Sequence, residues 1–421
     1  MSKHPRDFLL IALGSHGDVH PFVGVGRGLK ARGHRVRIAA NDAFATMIRN
    51  AGLTFVSAGD AETFEQVKND PDVWHATRGP QRVMAFVGRT LRDVYDMVLR
   101  ECDPHTCIVG STLALGARCA ADKFGYPMAT VHLAPICIRT SAFMPALPGG
   151  FMDLNRLPMW LRRRFWAAAD RFFIDPLICP VLNKFRAEIG LPRVTRMQAG
   201  WWHAPLLTIG LWPSWFFPAQ PDYPQQVRLA AFPLYDESDH TSLDPSLASW
   251  LDAGSAPIAF TPGSAMMFGD RFFQSAVDAC VRMDRRGILL TRHPEQIPKN
   301  LPTTVWYEPF APFGLLLPRC AAAVHHGGIG STAQGLKAGI PQLIMPMSHD
   351  QFDNAQICRR LGVADVLPVR KFTGDRVAAK LTSLIESESV RRSCAESAEK
   401  ARADDAVAMV CTLLESAMIP V

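Results

Sequence analysis

No run in this chain approaches the roughly 18 consecutive apolar residues that a membrane-spanning helix requires. The first apolar run, Phe8 to Leu13, is too short for a signal sequence as well, and Gly14 stops it as a loop stops a strand. Neither sign of charge is in large excess: 45 basic against 39 acidic residues leave a net +6, too balanced to imply a nucleic-acid partner. None of the ten cysteines forms a C-x-x-C pair, which argues against a disulfide framework and for reduced thiols in a cytoplasmic protein. Internal repeats and low-complexity segments are missing too. What remains is a globular composition, 48% hydrophobic and 20% charged over 421 residues, long enough for two domains with a core each.

Strand and helix signals alternate from the start. Phe8–Leu13, Val36–Ala40 and Leu53–Val56 read as strands, with helices over 21–31 and 43–50 between them. Cys107–Gly110, Thr112–Phe124 and Met128–His132 read as strand, helix and strand. The stretch from Phe143 to Trp215, rich in Pro, Trp and Phe, reads as inserted helices and loops. Polar residues 236–242 mark a linker. A second series follows, with strands at 257–261, 287–291, 304–307, 320–324 and 342–345, and a helical tail over 390–417. The pattern predicts two doubly wound α/β domains, residues 1–238 and 239–402, with 403–421 as a final helix.

The most telling segment is His325-His326-Gly327-Gly328-Ile329-Gly330-Ser331-Thr332. It lies between a strand and a helix that Gly339 closes, with Pro341 beyond. Glycines there let an anion approach the backbone, and a helix start offers unbonded N–H groups and partial positive charge. Ser331 and Thr332 add hydroxyl donors, and the two histidines add ring donors. A strand later, Asp350, Gln351 and Asn354 supply acceptors and donors suited to sugar hydroxyls, just past the strand end where parallel sheets bind ligands.

The paired pieces, His326-x-Gly328-x-Gly330-Ser331-Thr332 and Asp350-Gln351, resemble the donor signature of family-1 glycosyltransferases of GT-B fold. The resemblance implies two Rossmann-like domains facing each other across a cleft, with the final helix crossing back onto the first. It assigns the donor diphosphate to Ser264, His326, Gly328, Gly330, Ser331 and Thr332, and the donor sugar to Asp350 and Gln351. Positions 308–312 correspond to the family's nucleobase region without the Trp-centred motif of plant members. Within the family, Ile11 to Val19, Gly110 to Arg118, Ala311 to Pro318 and His349 to Ala355 are most similar to rhamnosyltransferases of rhamnolipid synthesis. The double histidine resembles sterol glucosyltransferases instead.

A second constellation is Gly14-Ser15-His16-Gly17-Asp18-Val19-His20-Pro21. Spacing alone makes Asp18 a helix cap. The resemblance makes it the general base acting on the acceptor hydroxyl. His16 is assigned to the acceptor side and His20 to structure; placed in a loop around a glycine, the two lack zinc geometry. Gly24-x-Gly26-x-Gly28 falls inside the helix and reads as close packing rather than a dinucleotide fingerprint. The G-x-G-x-x-G that a nicotinamide oxidoreductase needs is missing from the first turn. Asp70-Pro71-Asp72 spells a metal-binding D-x-D but sits in a polar loop and reads as a turn.

On the acceptor side, Leu157, Leu161, Phe165, Ala169 and Phe172 are spaced along one helical face with arginines on the flank. Phe143, Met144, Trp160, Trp201 and Trp202 are expected to line an apolar acceptor channel near a membrane surface. The expectation is an inverting hexosyltransferase that needs no metal or cofactor. It would move sugar from a dTDP-rhamnose or UDP-glucose type donor to a hydroxyl of a hydrophobic, lipid-like acceptor, in the cytoplasm or at the inner membrane face. The alternatives are a non-catalytic sugar-nucleotide-binding partner protein and a family member acting on a sterol, polyketide or other natural product.

Overall fold

The computed structural model describes residues 5–146, 154–237, 241–264 and 266–418. Part of the linker read at 236–242 therefore lies outside the described residues. The chain divides into two compact units: Met1–Val73, Thr77–Pro233 and Asp405–Val421 form one, Trp74–Ala76 and Leu234–Asp404 the other.

In the first unit seven parallel strands run β1 (Asp7–Ile11), β2 (Arg35–Ala40), β3 (Thr54–Ser57), β4 (Cys107–Ser111), β5 (Met128–His132), β6 (Leu207–Gly210) and β7 (Val227–Leu229). Their spatial order is β3-β2-β1-β4-β5-β6-β7. Phe8, Leu9, Leu10 and Ile11 of β1 are all buried, as a strand covered on both faces should be. The order reverses between β1 and β4, where Ile11 pairs with Gly110. The Leu13 amide donates to Ser111 Oγ across that junction at 3.2 Å.

The helix Ala406–Ala417 belongs to this unit and lies on the helix His16–Ala31. Gly28 makes the approach possible: a Cβ there would stand 2.2 Å from Val407 Cγ1. Polar contacts fix the helix end. Arg6 donates to the carbonyls of Glu415 and Met418, and Arg32 and His34 meet the Glu415 carboxylate at 2.8 and 2.9 Å.

The second unit holds six parallel strands: β8 (Ile258–Thr261), β9 (Gly287–Leu290), β10 (Val305–Glu308), β11 (Ala322–His325), β12 (Gln342–Ile344) and β13 (Ala364–Val366). They are ordered β10-β9-β8-β11-β12-β13, so this sheet reverses between β8 and β11. Phe260, Phe272, Phe273, Val324, Leu343 and Leu381 fill its core. Both units are thus doubly wound and Rossmann-like, and each candidate constellation leaves its sheet at the reversal, where such sheets bind ligands.

Candidate functional site

In the second unit, β11 feeds its turn through two histidines with different duties. His325 is 1% exposed: its Nε2 donates to Gln342 Oε1 at 2.8 Å, and its Nδ1 accepts the Gly327 amide at 3.0 Å. Both ring nitrogens are consumed internally. The expected second ring donor is instead a latch that shapes the turn, and burial pushes its pKa down to about 4. His326 is clasped by glycines. A Cβ on Gly263 would come within 2.7 Å of its ring, and one on Gly328 within 2.5 Å. Its Nδ1 is buried and bonded to nothing among the described residues. Burial, then the neighbouring His325 and His349, push its pKa down to about 3.

Gly327 turns the chain at φ +92°, a left-handed conformation that suits glycine. The helix then begins at Ile329, so Ser331 and Thr332 stand within its first turn. Its N-cap is Gly328, and no side chain caps it. The first intrahelical bond runs from the Thr332 amide to Gly328 O at 3.0 Å. The amides of Ile329, Gly330 and Ser331 precede it and form the open helix start. Thr332 is fully buried, its Oγ1 lacking a partner among the described residues. Ser331 is half-buried, and Ser264, after β8, is exposed.

Past β12, Gln351 accepts the amides of Met347 and Ser348 on Oε1 at 2.8 and 3.1 Å. Asn354, fully buried, donates from Nδ2 to Gly327 O at 2.9 Å and to Asp350 Oδ2 at 2.6 Å. This one amide ties the glycine turn to the Asp350 loop. The i, i+4 spacing of Asp350 and Asn354 is a signal for the second bond, and nothing local signals the first. His349 adopts φ +58°, uncommon outside glycine.

In the first unit, Asp18 lies inside the helix His16–Ala31 as its third residue, with Ser15 as N-cap. The helix starts five residues before Pro21. Ser15 donates to Asp18 Oδ2 from its amide at 2.7 Å and from its hydroxyl at 3.0 Å. Both bonds fall on one oxygen. Gly14, at φ +134°, makes room, since a Cβ there would lie 2.3 Å from Oδ2. Burial raises the Asp18 pKa, and the bonds from the Ser15 amide and hydroxyl pull the other way.

The early helix start corrects the loop reading of His16 and His20. Four apart on one helix, they share a face with ring centroids 5.7 Å apart, and His16 packs edge-on against Phe44. No group of three or more His, Cys, Asp or Glu side chains that could hold a metal occurs among the described residues. Asp70 precedes and Asp72 lies within a single turn of 3-10 helix, Asp70 pairing with Arg82 and Asp72 with both Arg78 and Arg82.

The acceptor-side expectation is partly overturned. Leu157, Phe165 and Ala169 pack around Met144, Leu154 and Trp166, but Phe172 is 64% exposed. The cause is a wide turn over Asp170–Ile174, which joins helices Met159–Ala169 and Asp175–Glu188 and advances the register by about one residue. Met144 is buried. Trp201 donates to Asp122 Oδ2 at 2.7 Å and Trp202 to Thr112 O at 2.5 Å, and both, half-buried, pack against the core of the unit. Phe143 meets Phe217 edge-on. Trp160 is 56% exposed beneath the Arg164 guanidinium.

A buried chain that sequence reasoning missed lies close by. His203 Nε2 donates to Gln198 O at 3.0 Å, so its Nδ1 must accept from His132 Nε2 at 2.9 Å. That leaves His132 Nδ1 to accept the Thr112 hydroxyl at 3.0 Å. The terminal carbonyl fixes every tautomer, and burial holds both imidazoles neutral.

The two strand-order reversals thus lead to a half-buried carboxylate and to an uncapped glycine-rich helix start, and both halves of the chain match models of sugar-transferring enzymes. Residues 8–130 match the glycosyltransferase family 28 N-terminal domain, and residues 274–416 the erythromycin biosynthesis protein CIII-like C-terminal domain. The O-mycaminosyltylonolide 6-deoxyallosyltransferase of Streptomyces fradiae is 28% identical over 96% of each chain. The sterol 3-beta-glucosyltransferase UGT80A2 of Arabidopsis thaliana is 28% identical over 95% of this chain and 64% of its own. Among solved structures, the spinosyn rhamnosyltransferase SpnG complexed with thymidine diphosphate superposes with a TM-score of 0.68, 17% identity, and coverage of 97% of this chain and 99% of that one. The chain belongs to the family-1 glycosyltransferases of GT-B fold.

Proposed function

We propose that the protein transfers a hexose, with inversion, from a nucleoside diphosphate sugar to a hydroxyl of a hydrophobic acceptor. The observation that carries this reading is the open start of the helix Ile329–Ala338. The same turn carries two buried polar atoms without partners among the described residues, His326 Nδ1 and Thr332 Oγ1. Buried polar atoms cost about 1–3 kcal/mol each when unpaired, and a bound diphosphate would relieve that cost. Ser264, Ser331 and the backbone at Gly328 and Gly330 would complete the cradle. Asp350 and Gln351 would face the sugar hydroxyls, with Asn354 holding the Asp350 carboxylate in place.

In the transfer, the acceptor oxygen attacks the anomeric carbon and passes its proton to Asp18. Ser15 anchors Oδ2, which leaves Oδ1 to take that proton. The bond from the anomeric carbon to the diphosphate oxygen breaks, and the amides and hydroxyls of the cradle meet the charge that the leaving group gains. No step calls for a metal, so a chelator should leave the rate unchanged. His16, Phe143 and Trp160 remain the proposed acceptor-side residues. The thymidine diphosphate of SpnG supports a dTDP-sugar such as dTDP-rhamnose, with a UDP-glucose type donor as the competitor. The sterol and tylonolide relatives support a bulky apolar acceptor, whether a lipid, a sterol or a polyketide.

Incubation with a panel of UDP- and dTDP-sugars tests the reading through slow donor hydrolysis. Hydrolysis of one donor that Asp18→Asn abolishes is the expected result. Tight donor binding with no hydrolysis or transfer for any acceptor would point to a sugar-nucleotide-binding partner protein instead.

A further inference from the structure

The surface around the wide turn at Asp170–Ile174 extends past Trp160, the one acceptor-side residue proposed on it, to side chains that the transfer chemistry does not use. Met159, Trp160, Phe172 and Phe173 are 42, 56, 64 and 70% exposed within 15 residues of one helical segment, an unusual concentration for side chains that gain from leaving water. The extra residue in the wide turn is what brings Phe172 out from the packed face. Asp170 anchors that turn from inside, 2% exposed, with both carboxylate oxygens 2.6 Å from Arg139 Nη1.

The charge of the same surface is one-sided. Arg163, Arg164 and Arg171 are exposed, with Arg164 lying over Trp160 and Arg171 over Phe172. From Leu154 to Ala187 the only acidic residues are Asp170, which is buried, and Asp175, whose oxygens accept the amides of Arg196 and Met197. Aromatic rings that can enter an interface, flanked by arginines that can reach anionic headgroups, are what an interfacial helix needs. A two-fold contact between copies would set the arginines of this face against themselves. No described helix is long and apolar enough to cross a membrane.

We infer that the outer face of the segment Met159–Ile174 docks the protein on an anionic lipid surface, with Phe172 and Phe173 inserted and Arg163, Arg164 and Arg171 on the headgroups. This goes beyond the sugar-transfer reading and stands or falls without it.

The test is co-sedimentation of the full chain with phosphatidylcholine vesicles, with and without half phosphatidylglycerol, at low and high salt. Binding should require the anionic lipid and weaken with salt. Arg163→Gln/Arg164→Gln should lower the partition coefficient roughly 25-fold, about fivefold for each charge removed near an anionic surface. Phe172→Ala/Phe173→Ala should lower it at least tenfold, with circular dichroism unchanged because the side chains are exposed. Equal binding to neutral vesicles, no binding at all, or retention by both variants would overturn the inference. So would a wild-type dimer in sedimentation equilibrium that Phe172→Ala/Phe173→Ala dissolves, since the face would then be a contact between copies.

Discussion

The turns after β1 and β11 start from the same plan and reach opposite ends. Each leaves a buried central strand at a sheet reversal, passes through a glycine at positive φ and enters a helix. The first closes its helix start with its own carboxylate, as Asp18 takes both Ser15 donors. The second leaves its start open, with glycine as N-cap and no side chain across it. A helix start that supplies its own anion holds that carboxylate in one pose. One that supplies none is left to receive an anion from outside.

The strongest test of the contrast is Asp18→Asn. Turnover should fall by about 10²–10⁴, the range for loss of a general base, while calorimetry finds donor binding unchanged. A near-normal rate would make Asp18 a cap and nothing more. On the other turn, His326→Ala or Ser331→Ala should weaken diphosphate binding by roughly 10- to 100-fold, as expected when a hydrogen bond to a charged group is lost. Unchanged affinity would move the ligand elsewhere.

Protonation separates the turns by sign. Asp18 is raised, so the acid limb of kcat/KM should have its midpoint above the ordinary aspartate value of 3.8. His325 and His326 are lowered to about 4 and about 3, so between those values and 6.5 the unfolded chain binds protons that the folded unit refuses. Stability contributed by neutral histidines is complete above pH 6.5 and should drain away as the pH falls towards 3. Thermal melts that did not change over that window would contradict the burial of both rings. The smallest expected effect comes from Gly330→Asp, which gives the second turn a carboxylate of its own. A Cβ at Gly330 meets open space, so the helix should gain about 0.3–1 kcal/mol in denaturant melts while donor affinity drops.

Much of this contrast is legible in the sequence because it is local. Met128–His132 is read with its true bounds, and the glycine turn with its strand and helix is read as a unit. Boundaries fail where a side chain overrides a stronger-looking signal. Pro21 marks a helix start, yet the Ser15–Asp18 pair begins the helix five residues sooner, and proline at that depth forfeits only the bond to Gly17. The face from Leu157 to Phe172 fails at Asp170, where one added residue leaves no trace in the apolar spacing. The partner that anchors it, Arg139, lies 31 positions away. Asn354 is visible as a neighbour of Asp350, but its bond to Gly327 O spans 27 positions and needs the fold. His325 and His326 are identical letters, and only the sheet decides which of them faces inward.

The tight fit between Gly28 and Val407 has a consequence for biosynthesis. A nascent chain that has left the ribosome as far as residue 404 holds every strand of both sheets, yet the groove along the first helix is still bare. The earlier-made unit therefore matures last, and a stop codon just before Asp405 would release a protein with an apolar scar at Gly28 and without the Glu415 carboxylate that meets His34 Nε2.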